Sequence, residues 1–225
     1  LARLDDGNVW ITHLGMTGRF SILGAKRQPG DFYYAEPTNP AHTHVVLETD
    51  AGVVLEFNDP RRFGYMDLIA ESALASHAWF ARMGPEPLGN EFHTPYLKAA
   101  FAGKKTSVKA ALLDQRVVAG LGNIYVVEAL HRAGIAPNNE AGRISAPRLE
   151  KLTQAIRAVL EEAIQAGGST LSDYAGVDGA QGGFQHRFRV YDQEGAACAA
   201  PSCKGVIVRA VQAGRSSFWC PRCQR

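Results

Sequence analysis

"CAAPSCKGVIVRAVQAGRSSFWCPRC", running from Cys198 to Cys223, decides how this chain is read, because it holds all four of the cysteines. Their spacing is C-x4-C, sixteen intervening residues, then C-x2-C. Two close pairs separated by a hairpin-length insert are the pattern of a structural zinc site, in which each pair sits on a tight turn and four thiolates close a tetrahedron. The expected ligands are Cys198, Cys203, Cys220 and Cys223, holding one structural Zn2+ ion. Two disulfides are the other use of four cysteines, but they persist in oxidising compartments. Between the pairs, "GVIVRAV" and "SSFWC" are rich in β-branched and aromatic residues and flank "QAGR", which predicts two strands joined by a glycine-containing turn. Arg215 falls at the tip of that hairpin. So small a module cannot build its own core, and zinc binding would fold it outright.

Working outward, the cysteine end is also the basic end. Residues 181–225 carry seven Lys/Arg against two acids, in a chain of 225 residues with a net charge of only +2. Such asymmetry suits a partner with a phosphate backbone. With 46% hydrophobic and 20% charged residues, the chain has the composition of a globular protein and not of a disordered one. No apolar run reaches the roughly 20 residues that cross a bilayer, and "LARLDDGNVWITHLG" lacks the basic-then-apolar layout of a signal peptide. The expectation is a cytoplasmic protein with no membrane partner. The first residue is Leu1, in a strand-like stretch, so residues are expected to precede it.

Upstream, residues 1–70 read as a β section: "NVWITHLG" leads through "MTG" to "RFSIL", and "HVVLET" and "VVLEFN" flank "DAG", a hairpin connection. Pro and Gly accumulate around "MGPEPLGNEF", which places a linker over 71–90. The section 91–185 is helical. "APRLEKLTQAIRAVLEEAIQAGG" sets Leu149, Leu152, Ile156, Val159 or Leu160, and Ile164 on one face and stops at Gly167. Before it, "SVKAALLDQRVVAGLGNIYVVEALHRAGIAP" reads as helix, glycine-bearing turn and second helix from Asn123. A helix starting there leaves backbone N–H groups free beside the positive end of its dipole, so a phosphate would fit, although Asn123 would equally serve to cap its own helix. Lys104, Lys105 and Lys109 precede the turn, either as phosphate contacts or as a solvated face.

"FNDPRRFGYMDL" follows a strand, where a loop would present Arg61, Arg62 and Phe63 together. Arginine beside an aromatic wedge is the chemistry of entering a base stack. Met16 in "GMTG" is a second candidate wedge. The plainer alternative puts Phe63 and Met16 in the core and leaves both arginines solvated.

In order along the chain, "HLGMTG", "NDPRRFG", "GPEPL", "GLGNIY", "HRAGI" and "GRSSFWCPRC" resemble the bacterial formamidopyrimidine-DNA glycosylases, base-excision enzymes for 8-oxoguanine and ring-opened purines. The resemblance covers essentially the whole chain. Endonuclease VIII-like glycosylases for oxidised pyrimidines share the helix-two-turn-helix and the zinc hairpin but lack the Met and Arg-Arg-Phe elements. The resemblance implies an α+β multidomain fold: an N-terminal β-sandwich, incomplete here, then a helix-two-turn-helix domain and a zinc-finger β-hairpin over 186–225. Met16, Arg61 and Phe63 would fill the gap left by an extruded nucleotide, with Arg61 pairing to the orphaned cytosine. His13, His42, Arg62, Lys104, Lys109 and Asn123 would contact DNA near the lesion. Arg215 would grip phosphate and donate a proton in the second elimination, and "GGSTLSDYAGVDGAQGGF" would cap the flipped base. The implied partner is damaged double-stranded DNA, met by a monomer at the bacterial nucleoid.

Two departures stand out. The first cysteine pair is separated by four residues, where two are commonest in the family. The family attacks the sugar with an N-terminal proline amine, assisted by an adjacent Glu and a later Lys, and the chain starts past all three. The expectation is a full-length glycosylase and AP lyase acting by β,δ-elimination, with this chain keeping the recognition apparatus but inactive alone. From another class, the alternative is a non-catalytic zinc-containing DNA-binding paralogue or fragment.

Overall fold

The computed structural model describes residues 1–24, 39–169 and 182–225. Within it the chain divides into two units, 1–81 with 163–186 and 82–162 with 187–225.

The first unit is built from β1 (Ala2–Arg3), β2 (Asn8–His13), β3 (Arg19–Ile22), β4 (Thr43–Glu48), β5 (Val54–Asn58) and β6 (Tyr65–Ala70). They form two antiparallel sheets, ordered β1-β2-β6 and β3-β5-β4. The alternation in "NVWITH" explains how β2 serves two layers. Val9 and Ile11 are buried on one face. Trp10, on the other, meets Phe20 of the second sheet edge-on at 5.7 Å, and Phe20 lies 5.3 Å from Phe57. The expected β4–β5 hairpin is present, its turn closed by Thr49 N–H on Val53 O at 2.9 Å.

The second unit carries α1 (Thr94–Phe101), α2 (Val108–Leu113), α3 (Asn123–Arg132), most of α4 (Ala146–Gln165), and a hairpin of β7 (Val208–Gln212) and β8 (Arg215–Trp219). In α4 the stripe Leu149, Leu152, Ile156 and Val159 is buried as expected, but Ile164 is 65% exposed and Ala163 takes its place. Stepping four residues from Val159 keeps to the buried face, whereas a fifth turns a further 100° away from it. Ser107 caps α2 by accepting the Ala110 N–H at 3.2 Å. The N-cap of α3 is Gly122, which has no side-chain bond, so Asn123 does not cap its own helix. The hairpin turn places Ala213 (φ 48°) and Gly214 (φ 74°) in the left-handed region, the geometry of a two-residue turn that matches strand twist.

Among the described residues, no helix is long and apolar enough to cross a membrane. Most of the expected base-capping loop, 170–181, lies outside the described residues.

Candidate nucleic-acid interface

In the first unit, the loop after β5 is organised by one carboxylate. Asp59 is fully buried and accepts from Thr17 Oγ1 at 2.5 Å, from Gly64 N–H at 2.7 Å and from Arg61 N–H at 3.3 Å. Burial opposes its charge, but those donors and the Arg62 N–H outweigh it and hold the carboxyl below the usual carboxylate range. Its own N–H donates to His42 O at 2.9 Å, and its carbonyl lies 2.9 Å from His44 Nε2, so His42 is tied to this loop through backbone. The sequence reading missed Asp59, although an Asp before Pro is a turn-former with a mechanism.

The Asp59 scaffold pushes the apolar side chains outward. Phe63 is 59% and Met16 54% exposed, so neither is a core residue. The Arg61 guanidinium lies 5.0 Å from the Phe63 ring centroid, and Arg62 adopts a left-handed φ of 57°. The "GMTG" turn backs directly onto this loop: a Cβ on Gly15 would come within 2.7 Å of the Phe63 carbonyl carbon. His13 accepts the Gly15 N–H at 3.0 Å on Nδ1, which places it at the foot of the same turn. Met16, Arg61, Phe63 and His13 are thus brought together by tertiary structure.

In the second unit, Lys109, Asn123 and Arg215 converge on one strand. Lys109 Nζ donates to Ser217 Oγ at 2.6 Å, to Ser216 O at 2.9 Å and to Arg215 O at 3.4 Å. Asn123 Nδ2 donates to the same Ser216 O at 3.0 Å. Lys109 is only 1% exposed, so it is not part of a solvated lysine face. Burial, with the nearby Arg215 charge, brings its ammonium down to about 8. Arg215 itself is exposed at the start of β8. Lys104 is half-buried, and its carbonyl accepts the Gly142 N–H at 2.9 Å, apart from this cluster.

Beyond the hairpin, the four cysteine sulfurs lie within 4.8 Å of one another, with Cys198–Cys223 and Cys203–Cys220 at 3.7 Å. A tetrahedral Zn–S bond of about 2.3 Å sets sulfurs about 3.8 Å apart, so the donor set fits that ion. The longer first turn closes through Ser202 at φ 62° and Cys203 N–H on Ala200 O at 3.1 Å. Gly205 is obligatory there, because a Cβ would lie 2.4 Å from Cys220 Sγ. Burial raises the Cys198 thiol, and burial with the neighbouring thiols raises Cys223. At Cys220 burial is outweighed by the N–H groups of Cys223 and Arg222 and by nearby thiols, leaving it at about 7.

An arginine–phenylalanine loop on a β platform, a helix pair and a basic cysteine hairpin define a multidomain DNA-binding protein. Family models match along the chain: the formamidopyrimidine-DNA glycosylase N-terminal domain over residues 1–66, its H2TH domain over 83–175, and the zinc finger found in FPG and IleRS over 201–225. The formamidopyrimidine-DNA glycosylases of Phenylobacterium zucineum and Caulobacter vibrioides are 58% and 57% identical, each alignment covering 100% of this chain and 79% of the relative. Among solved structures, the MutM (Fpg) protein of Thermus thermophilus superposes with a TM-score of 0.82 at 40% identity, covering 99% of this chain and 77% of that one. Lactococcus lactis Fpg complexed with abasic-site DNA gives 0.80 at 30% identity, over 98% and 76% of the two chains. The chain belongs to the formamidopyrimidine-DNA glycosylase family, a family of base-excision repair glycosylases and AP lyases. The expected N-terminal domain is thus present, its family model matching residues 1–66.

Proposed function

We propose that the protein recognises 8-oxoguanine and ring-opened purines in bacterial duplex DNA and holds the strand for base excision and β,δ-elimination, acting as a monomer. The observation that carries this reading is the exposed Arg61–Phe63 pair on a loop fixed from beneath by Asp59. A stacked base hides its glycosidic carbon, and extruding it costs about a few kcal/mol, least at a damaged pair. Phe63 and Met16 offset that cost by filling the vacated stack, while Arg61 offers guanidinium donors to the orphaned cytosine. His13, His42, Arg62, Lys104, Asn123 and Arg215 serve the phosphates. Arg215 also fits the proton donor of the second elimination. Lys109 acts indirectly, by drawing the Ser216 and Arg215 carbonyls inward so that the Arg215 side chain faces out. One Zn2+ held by the four thiolates would supply the structural closure of the hairpin.

The test is binding by fluorescence anisotropy to duplexes with 8-oxoguanine or guanine opposite cytosine, alongside borohydride trapping on the same DNA. The damaged duplex should bind more tightly, and Phe63→Ala should erase most of that preference. Arg61→Ala should cost about 1–3 kcal/mol of discrimination for cytosine over adenine opposite the lesion. Equal affinity of the unaltered protein for both duplexes would overturn the reading.

A further inference from the structure

Besides Val127, which packs in its core, polar side chains of α3 reach the cysteine module. Asn123 holds the tip through Ser216 O. Glu128, fully buried, accepts the N–H groups of Arg189, Val190 and Tyr191 at 2.9–3.0 Å. His131, 5% exposed and one helical turn further along the same face, brings Nε2 to 3.3 Å from Cys198 Sγ. The first two contacts hold backbone; the third reaches a metal-site sulfur.

We infer that His131 is a positioning residue of the metal site, donating its Nε2–H to the Cys198 thiolate and so fastening that ligand to α3. This rests on the zinc reading above. The geometry assigns the direction of the bond. A metal-bound thiolate has no proton to give, so a hydrogen bond between these atoms requires the imidazole to donate. The other ring nitrogen agrees: among the described residues, buried Nδ1 has no hydrogen-bond partner. A proton there would leave an orphaned buried donor, which folded proteins avoid more strictly than an idle lone pair. The neutral Nε2–H tautomer gives the ring's one proton a partner and leaves only a lone pair idle at Nδ1. Such a donor fixes the thiolate's orientation and draws off part of its charge, and loss of a partner of this kind typically weakens metal binding about 10–100-fold. Because α3 also begins at Asn123, the same helix links the metal site to the residues at the hairpin tip.

The experiment uses the whole chain loaded with Co2+ or Zn2+, in unaltered form and as His131→Phe and His131→Gln. Phenylalanine fills the space without a donor, whereas glutamine restores an N–H of similar reach. The Phe variant should shift the sulfur-to-cobalt charge-transfer band to lower energy and release zinc to a chromophoric chelator about 10–100 times faster. Gln should recover most of both. An unchanged band and release rate in the Phe variant, or equal impairment in both variants, would overturn the inference while leaving the zinc reading intact. Failure of the unaltered protein to take up either metal would overturn both. Should neither variant fold, the tautomer decides: long-range 1H–15N spectra of the zinc-loaded protein should show the Nε2–H form, and an Nδ1–H form would exclude the donation.

Discussion

The loop over residues 58–64 and the hairpin of β7 and β8 each offer an arginine to solvent, Arg61 and Arg215, yet they are held by different means. The loop is organised by a carboxylate inside its own span: Asp59 fixes Arg61 and Gly64 within five residues of itself, with further bonds to Thr17, His42 and His44. The hairpin is held from far along the chain, by Lys109 and Asn123 about a hundred residues upstream and by the cysteine cluster behind it. A locally braced loop can change its recognition residues at little cost to stability. A hairpin braced by a cysteine cluster and a buried ammonium should respond more strongly to the loss of either.

Metal removal should give the largest contrast. Structural zinc contributes about 10 kcal/mol or more to small modules. Chelation should therefore collapse the hairpin, change the emission of Trp219 beside Cys220, and abolish DNA binding, while amide exchange in β2 and β6 stays slow. Equal acceleration of exchange in both units would break the distinction. Next, Asp59→Ala should destabilise the protein by about 3 kcal/mol in urea titration, since it removes at once the acceptor of the Thr17 hydroxyl and of the Arg61 and Gly64 N–H groups. Because folding lowers the Asp59 pKa, the unfolded state binds the proton more readily. Its stabilisation is full above about pH 4 and fades as pH falls through the folded value. That acid dependence should vanish in Asp59→Asn.

The hairpin carries the opposite signature. Lys109 is depressed to about 8 by burial, so between that value and about 10.4 the unfolded state holds more protons and the Lys109 contribution becomes more favourable as pH rises. Subtracting the stability profile of Lys109→Met from that of the unaltered protein should reveal this upward slope, and a flat difference would contradict a buried charged amine. The smallest effect belongs to the turn. Ala213 sits at φ 48°, which disfavours a residue with a Cβ, and Ala213→Asn would create the preferred Asn-Gly pair. Thermal unfolding should show a gain of about 0.5–1 kcal/mol.

Much of this protein follows from its sequence alone. The cysteine spacing, the α4 stripe, the helix pair and the "DAG" and "QAG" turns are local signals, written in periodicities of two and 3.6 and in residues that only turns favour. The Arg-Arg-Phe loop was legible for the same reason. What tertiary structure decided is the direction of individual polar side chains. Lys109 points inward because carbonyls 106 and 107 residues away converge on its ammonium. Asn123 reaches β8 and leaves its own helix uncapped, Asp59 becomes the hub of the wedge loop, and His131 meets a cysteine sulfur 67 residues on. A long or polar side chain takes its orientation from whichever partner relieves its burial, and that partner is fixed only when distant segments pack.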